Sequence, residues 1–211
     1  MSHANAHLAW DRRWAIESGR ADWLEPEPFV MQALAQPAGR VLDLGCGVGR
    51  HALALAAMGW QVTAHDGAPA GLDVVRQQAG SLPVTVRQGG IHHLPDADAT
   101  FDALLSWNVI YHGTGAETAR AMAEIDRVLR PGGTLVMTFL STRNARYGEG
   151  REIAPATFVI DGEEEKDHAH FYAGMADLVG LLAGYDVLTL EQRTHRKPGS
   201  WHWHVHATRR T

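Results

Sequence analysis

Val41-Leu42-Asp43-Leu44-Gly45-Cys46-Gly47-Val48-Gly49-Arg50 is the most informative stretch of this chain. Residues 40–44 form a short apolar run that reads as a strand, and the alanine- and leucine-rich stretch over 48–58, closed by Gly59, reads as a helix. Between them the chain turns on glycines. Glycine adopts positive φ and lets backbone amides approach a ligand closely. The start of the following helix adds unpaired N–H donors and partial positive charge. A dinucleotide loop of the form G-x-G-x-x-G would put its third glycine at position 50. Arg50 stands there, and the third glycine comes one residue early, at Gly49. Asp43, two residues before Gly45, sets a carboxylate behind the bend. That charge is unhelpful to a pyrophosphate but useful to an ammonium group or to the loop's own amides.

On both sides of this bend the chain punctuates itself regularly. Strands are predicted over 61–65, 84–88, 101–107 and 134–140, with helices over 69–79 and 117–129. Pro131-Gly132-Gly133 stops the last helix. Two helices are predicted at 8–18 and 26–36, and Trp10 and Trp14, four apart, share one helical face. Near the end come a helix over 175–183 and strands over 187–191 and 201–208, the last two joined through the turn Lys197-Pro198-Gly199-Ser200. This alternation predicts a doubly wound α/β domain with helices on both faces of a mostly parallel sheet. The 211 residues fit one such domain. It divides into N-terminal helices (1–38), a cofactor-binding core (39–140), a polar lid or substrate loop (141–172) and a C-terminal helix and hairpin (173–211).

Asp66 closes the second strand about 20 residues after the glycine bend, where an acid can accept hydrogen bonds from both hydroxyls of a ribose. An N-cap for the helix over 69–79 is the other reading of the same residue. Bend and acid together favour a nucleoside ligand.

The stretch 41–50, Asp66, Leu94-Pro95-Asp96, Phe101-Asp102 and Ile125-Asp126-Arg127-Val128-Leu129-Arg130-Pro131-Gly132-Gly133 resemble the class I S-adenosylmethionine methyltransferases. The likeness runs from about residue 38 to 140. It implies a seven-stranded sheet of order 3-2-1-4-5-7-6 with only strand 7 antiparallel, and S-adenosyl-L-methionine as cofactor. Gly45, Cys46 and Gly47 are then expected against its methionine and ribose, with Asp43 helping to hold that region. Asp66 takes the ribose hydroxyls, with Gly67 beside it. Many relatives place an acid near the adenine amino group; here Gly90 stands in its place, leaving backbone and Ile91 to hold the base. Asn108 falls where the family approaches the cofactor with backbone. A fainter likeness to the tellurite-resistance methyltransferases says little about substrate.

Ligands of open α/β sheets sit beyond the carboxyl ends of the parallel strands. Residues 107–112, the segment 141–170 and the turn 192–200 all leave strands at that rim. Tyr111 and His112 are candidates to position or deprotonate an acceptor, histidine because its ordinary pKa lies near 6.5; flanking the next helix is the competing role for His112. Asn108-Val109-Ile110-Tyr111 resembles the Asn-Pro-Pro-Tyr motif of DNA adenine methyltransferases only loosely, since both prolines are missing. His168 and His170 are expected to meet His202 at the rim, with Phe171 and Trp201 as apolar walls of a substrate site. These histidine sets read as surface and hydrogen-bonded core residues, with zinc or iron ligation the alternative reading, and no metal is assigned to them. Glu163-Glu164-Glu165-Lys166-Asp167 reads as a solvated loop.

The net charge of −5 offers no concentrated positive charge for nucleic acid. Cys46 is the single cysteine, which fits a reducing compartment. No apolar run approaches the roughly 20 residues of a membrane helix, and the first residues show no secretory signal. A cytoplasmic enzyme acting on a small-molecule O, N or S nucleophile is the expectation. A binding module without activity and a nicotinamide-dependent oxidoreductase are the alternatives.

Overall fold

The computed structural model describes residues 6–36, 39–163, 166–195 and 197–211. It begins with α1 (Ala6–Ala15), a single turn α2 (Glu17–Arg20), a 3-10 turn (Ala21–Trp23) and α3 (Pro28–Ala33). The helix expected over 8–18 is interrupted because Ile16 is extended, with φ −109° and ψ 139°. The alternating core follows: β1 (Arg40–Leu44), α4 (Arg50–Ala57), β2 (Gln61–Asp66), α5 (Pro69–Ala79), β3 (Val84–Gln88), β4 (Phe101–Ser106), α6 (Gly115–Val128) and β5 (Leu129–Ser141). Each helix start has a local cause. Pro69 occupies the first turn of α5, where its missing N–H costs nothing. Thr114 caps α6 in a reciprocal box, its hydroxyl accepting the Glu117 N–H while the Glu117 carboxylate accepts the Thr114 N–H.

The sheet runs β3-β2-β1-β4-β5 in parallel, then continues through a C-terminal hairpin of β9 (Tyr185–Thr194) and β10 (Trp201–Arg209). β10 inserts antiparallel between β5 and β9. This is the expected order 3-2-1-4-5-7-6 with its seventh strand reversed.

Two expectations need correction. β5 reaches back to Leu129, which pairs with Phe101 before the chain accommodates Pro131–Gly133 as an irregularity in the ladder. The segment 141–170 is not structureless. It forms β6 (Arg151–Ala154) and β7 (Thr157–Val159), an antiparallel pair continued by β8 (His170–Ala173). β4 leaves β5 after the Ser106–Met137 pair, so the last residues of β5 have an open edge. β8 fills it: Leu140 pairs with His202 of β10 on one side and Tyr172 of β8 on the other. Strands of three and four residues carry too short an alternation to be read in advance.

Period-2 alternation sorts the core into two layers. Leu42, Leu44, Leu104, Leu135, Met137 and Phe139 face α6 and α7 (Met175–Leu181), meeting Met122, Ile125 and Leu178. Val41, Ala103, Leu105 and Val136 face α3, α4 and α5, meeting Val30, Leu55 and Val75. Asp43 shares the parity of Val41, and so lies on the α4 side.

Candidate active site

The bend after β1 is built from three glycines at positive φ: Gly45 (+79°), Gly47 (+54°) and Gly49 (+83°). Gly45 and Cys46 both donate their N–H groups to the carbonyl of His65 in β2, at 2.7 and 3.1 Å. At Gly45 a side chain is excluded twice over, by φ and by Val109, whose methyl carbon would lie 2.3 Å from an added Cβ. Asp66 completes the brace. Its Oδ2 accepts from the Gly47 N–H and its Oδ1 from the Ala68 N–H, both at 2.8 Å. The carboxylate thus fastens the end of β2 to the bend and to Ala68, the residue before α5.

A cavity of about 500 Å³ opens above this bend, at the carboxyl ends of β1, β2, β3 and β4. Gly45, Cys46, Gly47, Asp66, Gly67, Gly90, Ile91 and Asn108 are on its wall. Gly90 is fixed through its carbonyl, which accepts the Nε2–H of His65 at 3.1 Å. Asn108 takes φ +62°, and Thr138 holds it there: the Thr138 hydroxyl accepts the Asn108 N–H at 2.8 Å and faces the Asn108 side-chain oxygen at 3.3 Å.

Asp43 is not on that wall. It is 1% exposed beneath α4, where the Ala52 N–H donates to it and its Oδ2 has no hydrogen-bond partner among the described residues. Burial pushes its pKa up to about 7, opposed by the Arg50 charge and reinforced by Asp66. Burial also raises Asp66, against the backbone N–H groups that favour its carboxylate, and raises the Cys46 thiol.

The far wall was not foreseen. Trp10, Trp14 and Trp23 line the cavity. Trp10 and Trp14 stack at 5.1 Å, with Trp23 edge-on to both at 5.4 and 5.7 Å. The four-residue spacing of the first two was visible in the sequence, but what their face covers was not. Two tethers fix it: Asp11 accepts the Ala70 N–H of α5 at 2.8 Å, and Arg50 pairs with Glu27 at 3.0 Å while lying over the Trp23 ring.

The acceptor-side expectations fare differently. His112 lines the cavity, but both ring nitrogens are engaged. Nε2 donates to the Asn108 carbonyl at 3.0 Å, and Nδ1 lies 2.9 Å from Nε2 of His168. A carbonyl only accepts, so Nδ1 of the neutral ring is an acceptor and already has its donor. Burial, with cationic neighbours, holds the ring well below its ordinary pKa. His112 therefore has no spare lone pair for an acceptor's proton. Tyr111 is off the cavity wall, its hydroxyl turned to Nε2 of His202 at 3.3 Å. His168 and His170 meet His112 rather than His202. Phe171 is in the core against Gly115, and Trp201 lies under the Arg143 guanidinium. None of these four lines the cavity, nor does His202. In the acidic run, Glu163 pairs with Arg146 at 2.7 Å, while Glu164 and Glu165 lie outside the described residues.

A family model described as a methyltransferase domain matches residues 42–137. The chain is 38% identical over 143 residues to an uncharacterised methyltransferase of Mycobacterium tuberculosis, covering 66% of this chain and 54% of that protein. It is 31% identical over 173 residues to malonyl-[acyl-carrier protein] O-methyltransferase of Serratia marcescens, covering 82% and 63%. The chain thus spans little more than half the length of the first and under two thirds of the second. Among solved structures, the N-methyltransferase NodS of Bradyrhizobium japonicum, in complex with S-adenosyl-L-homocysteine, shares the fold with a TM-score of 0.72 at 17% identity, covering 97% of this chain and 98% of that one. No helix among the described residues is long and apolar enough to cross a membrane.

Proposed function

We propose that this chain is a class I S-adenosylmethionine-dependent methyltransferase, and that it moves the methyl group of S-adenosyl-L-methionine to an O, N or S nucleophile of a small molecule. The observation that carries this reading is the brace between Asp66 and Gly47 at the floor of the cavity. It sets a carboxylate with remaining lone pairs beside the backbone of the glycine bend in one wall. Each carboxylate oxygen can accept more than one hydrogen bond, so Asp66 can hold the bend and still receive ribose hydroxyls. Gly45, Cys46, Gly47 and Gly67 would lie along the amino-acid and ribose parts. Gly90, Ile91 and Asn108 would meet the cofactor through backbone and apolar contact. Asp43 acts from behind, by stiffening the bend.

The cofactor brings an activated sulfonium. Bound here, it would supply a methyl electrophile together with its own sulfur leaving group, and the acceptor's proton would pass to solvent. Positioning can supply about 7–11 kcal/mol of the barrier reduction, so a dedicated base is not required. With His112 already paired and Tyr111 off the wall, this chain's part is to orient the acceptor and exclude water. The tryptophan wall and the apolar side of His112 suit a largely apolar acceptor. The Serratia relative's name favours oxygen as the accepting atom.

Calorimetric titration with S-adenosyl-L-homocysteine and with NADH tests the reading. Saturable binding of the first and none of the second is expected. Tight NADH binding with no S-adenosyl-L-homocysteine binding would overturn it. Transfer of labelled methyl into a broad metabolite extract separates an enzyme from a silent binding module.

A further inference from the structure

His112 leaves the loop after β4, His168 precedes β8, and His170 opens it. They are brought together because β8 pairs with the vacated edge of β5 and the Phe171 N–H donates to the Tyr111 carbonyl at 2.9 Å. Their ring centroids lie 5.1, 4.7 and 4.3 Å apart, and one nitrogen of each lies within 4.8 Å of the others. We propose that His112, His168 and His170 form a binding site for one divalent transition-metal ion, on the wall that His112 shares with the cavity.

The orientation of the rings carries the argument. Metal-bound histidines usually donate their second ring N–H to a carbonyl or carboxylate, which fixes the tautomer and aims the lone pair. Two of these three do so. Nε2–H of His112 donates to the Asn108 carbonyl, leaving the Nδ1 lone pair facing the cluster. Nδ1–H of His170 donates to the His168 carbonyl at 2.9 Å, leaving Nε2 as its lone-pair nitrogen. The third, His168, points Nε2 at Nδ1 of His112 across 2.9 Å. A bound ion takes the place of the proton shared there, and His168 then carries its proton on Nδ1, so the set remains three neutral imidazoles. Tetrahedral ligation at about 2.0–2.1 Å per nitrogen asks the rings to shift by only about an ångström or less.

Burial supports the same state, since all three rings are held below their ordinary pKa and so keep their lone pairs near neutral pH. A donor set with three imidazoles and no carboxylate suits zinc, copper or nickel rather than magnesium or calcium. Three protein ligands leave a coordination position open. The Lys166 charge acts on all three rings and opposes a dication, and Asp167 partly offsets it at His168.

The test uses the full chain, stripped with a chelator and titrated with Co²⁺ by visible absorption, then with Zn²⁺ in competition. One ion per chain is expected, with zinc-edge X-ray absorption on the unaltered protein reporting three imidazole nitrogens. His168→Gln and His170→Gln should each weaken binding at least about tenfold, and His206→Gln, outside the cluster, should not. No saturable binding, binding that both substitutions leave unchanged, or an absorption spectrum without imidazole ligation would overturn the proposal. The readout does not depend on methyl transfer, so S-adenosyl-L-homocysteine titration of the stripped protein keeps the two readings separate.

Discussion

Asp66 reaches across from the end of β2 to accept the N–H of Gly47 at 2.8 Å, so one carboxylate both shapes the glycine bend and faces the cavity it floors. Removing it has two consequences. Asp66→Ala leaves the Gly47 and Ala68 donors without this acceptor and takes away the expected ribose partner. Calorimetry should show S-adenosyl-L-homocysteine binding weakened by about 1.5–3 kcal/mol, the scale of hydrogen bonds to a charged group. Unchanged affinity would mean that the acid serves the bend alone.

The bend is also pressed from beneath. An added Cβ at Gly71 of α5 would lie 2.7 Å from the Gly47 carbonyl oxygen, which is backbone and cannot swing aside. Gly71→Ala should therefore destabilise the fold by about 1–3 kcal/mol, as overpacking does, and weaken cofactor binding with it. Gly180 in α7 is the internal control, because nothing lies within 4 Å of its added Cβ. Gly180→Ala should instead stabilise by up to about 1 kcal/mol, the helix-propensity gain. Urea melts of both variants check the opposite signs; destabilisation by Gly180→Ala would show that α7 is less regular than described.

What was legible in the sequence was what is local. The bend, Asp66 and the strand–helix alternation depend on residues within about 25 positions of one another, so glycine spacing and periodicity expose them. The tryptophan wall depends on where α1 docks, which Asp11 fixes through its contact with Ala70, 59 residues along the chain. His112 and His168 are 56 residues apart and meet because β4 ends early and β8 takes its place on β5. The expected meeting of His168 and His170 with His202 assumed that rim residues converge on one point. Instead Leu140 has β8 on one side and β10 on the other, and His202 turns to Tyr111.

Thr138 is fully buried and makes the contacts that hold Asn108 at positive φ. Thr138→Val keeps the shape but strands the part-buried Asn108 N–H, at a cost of up to about 1–3 kcal/mol for a donor left unsatisfied. Because Asn108 is part of the cavity wall, cofactor affinity should fall together with stability. Thr138→Ser retains the hydroxyl and should restore the affinity. Equal behaviour of the two variants in melts and titrations would show that the hydroxyl does not position Asn108.

Acid should unfold this protein from an unusually mild pH. His204 is 5% exposed between Phe29 and Trp107, and burial pushes its pKa down to about 4; His202 beside it is pushed to about 3 by the same cause. A histidine with a depressed folded pKa stays neutral while the unfolded chain takes up a proton near 6.5. Its contribution is therefore complete above 6.5 and is lost as pH falls toward 4. Nδ1 of His204 is also buried without a hydrogen-bond partner among the described residues. His204→Phe keeps an aromatic ring against Phe29 and Trp107 and removes the titrating group. Denaturant midpoints measured from pH 7.5 down to pH 4.5 should fall less steeply in the variant, by up to about one proton's worth of slope. Parallel curves would assign the acid limb to other buried histidines.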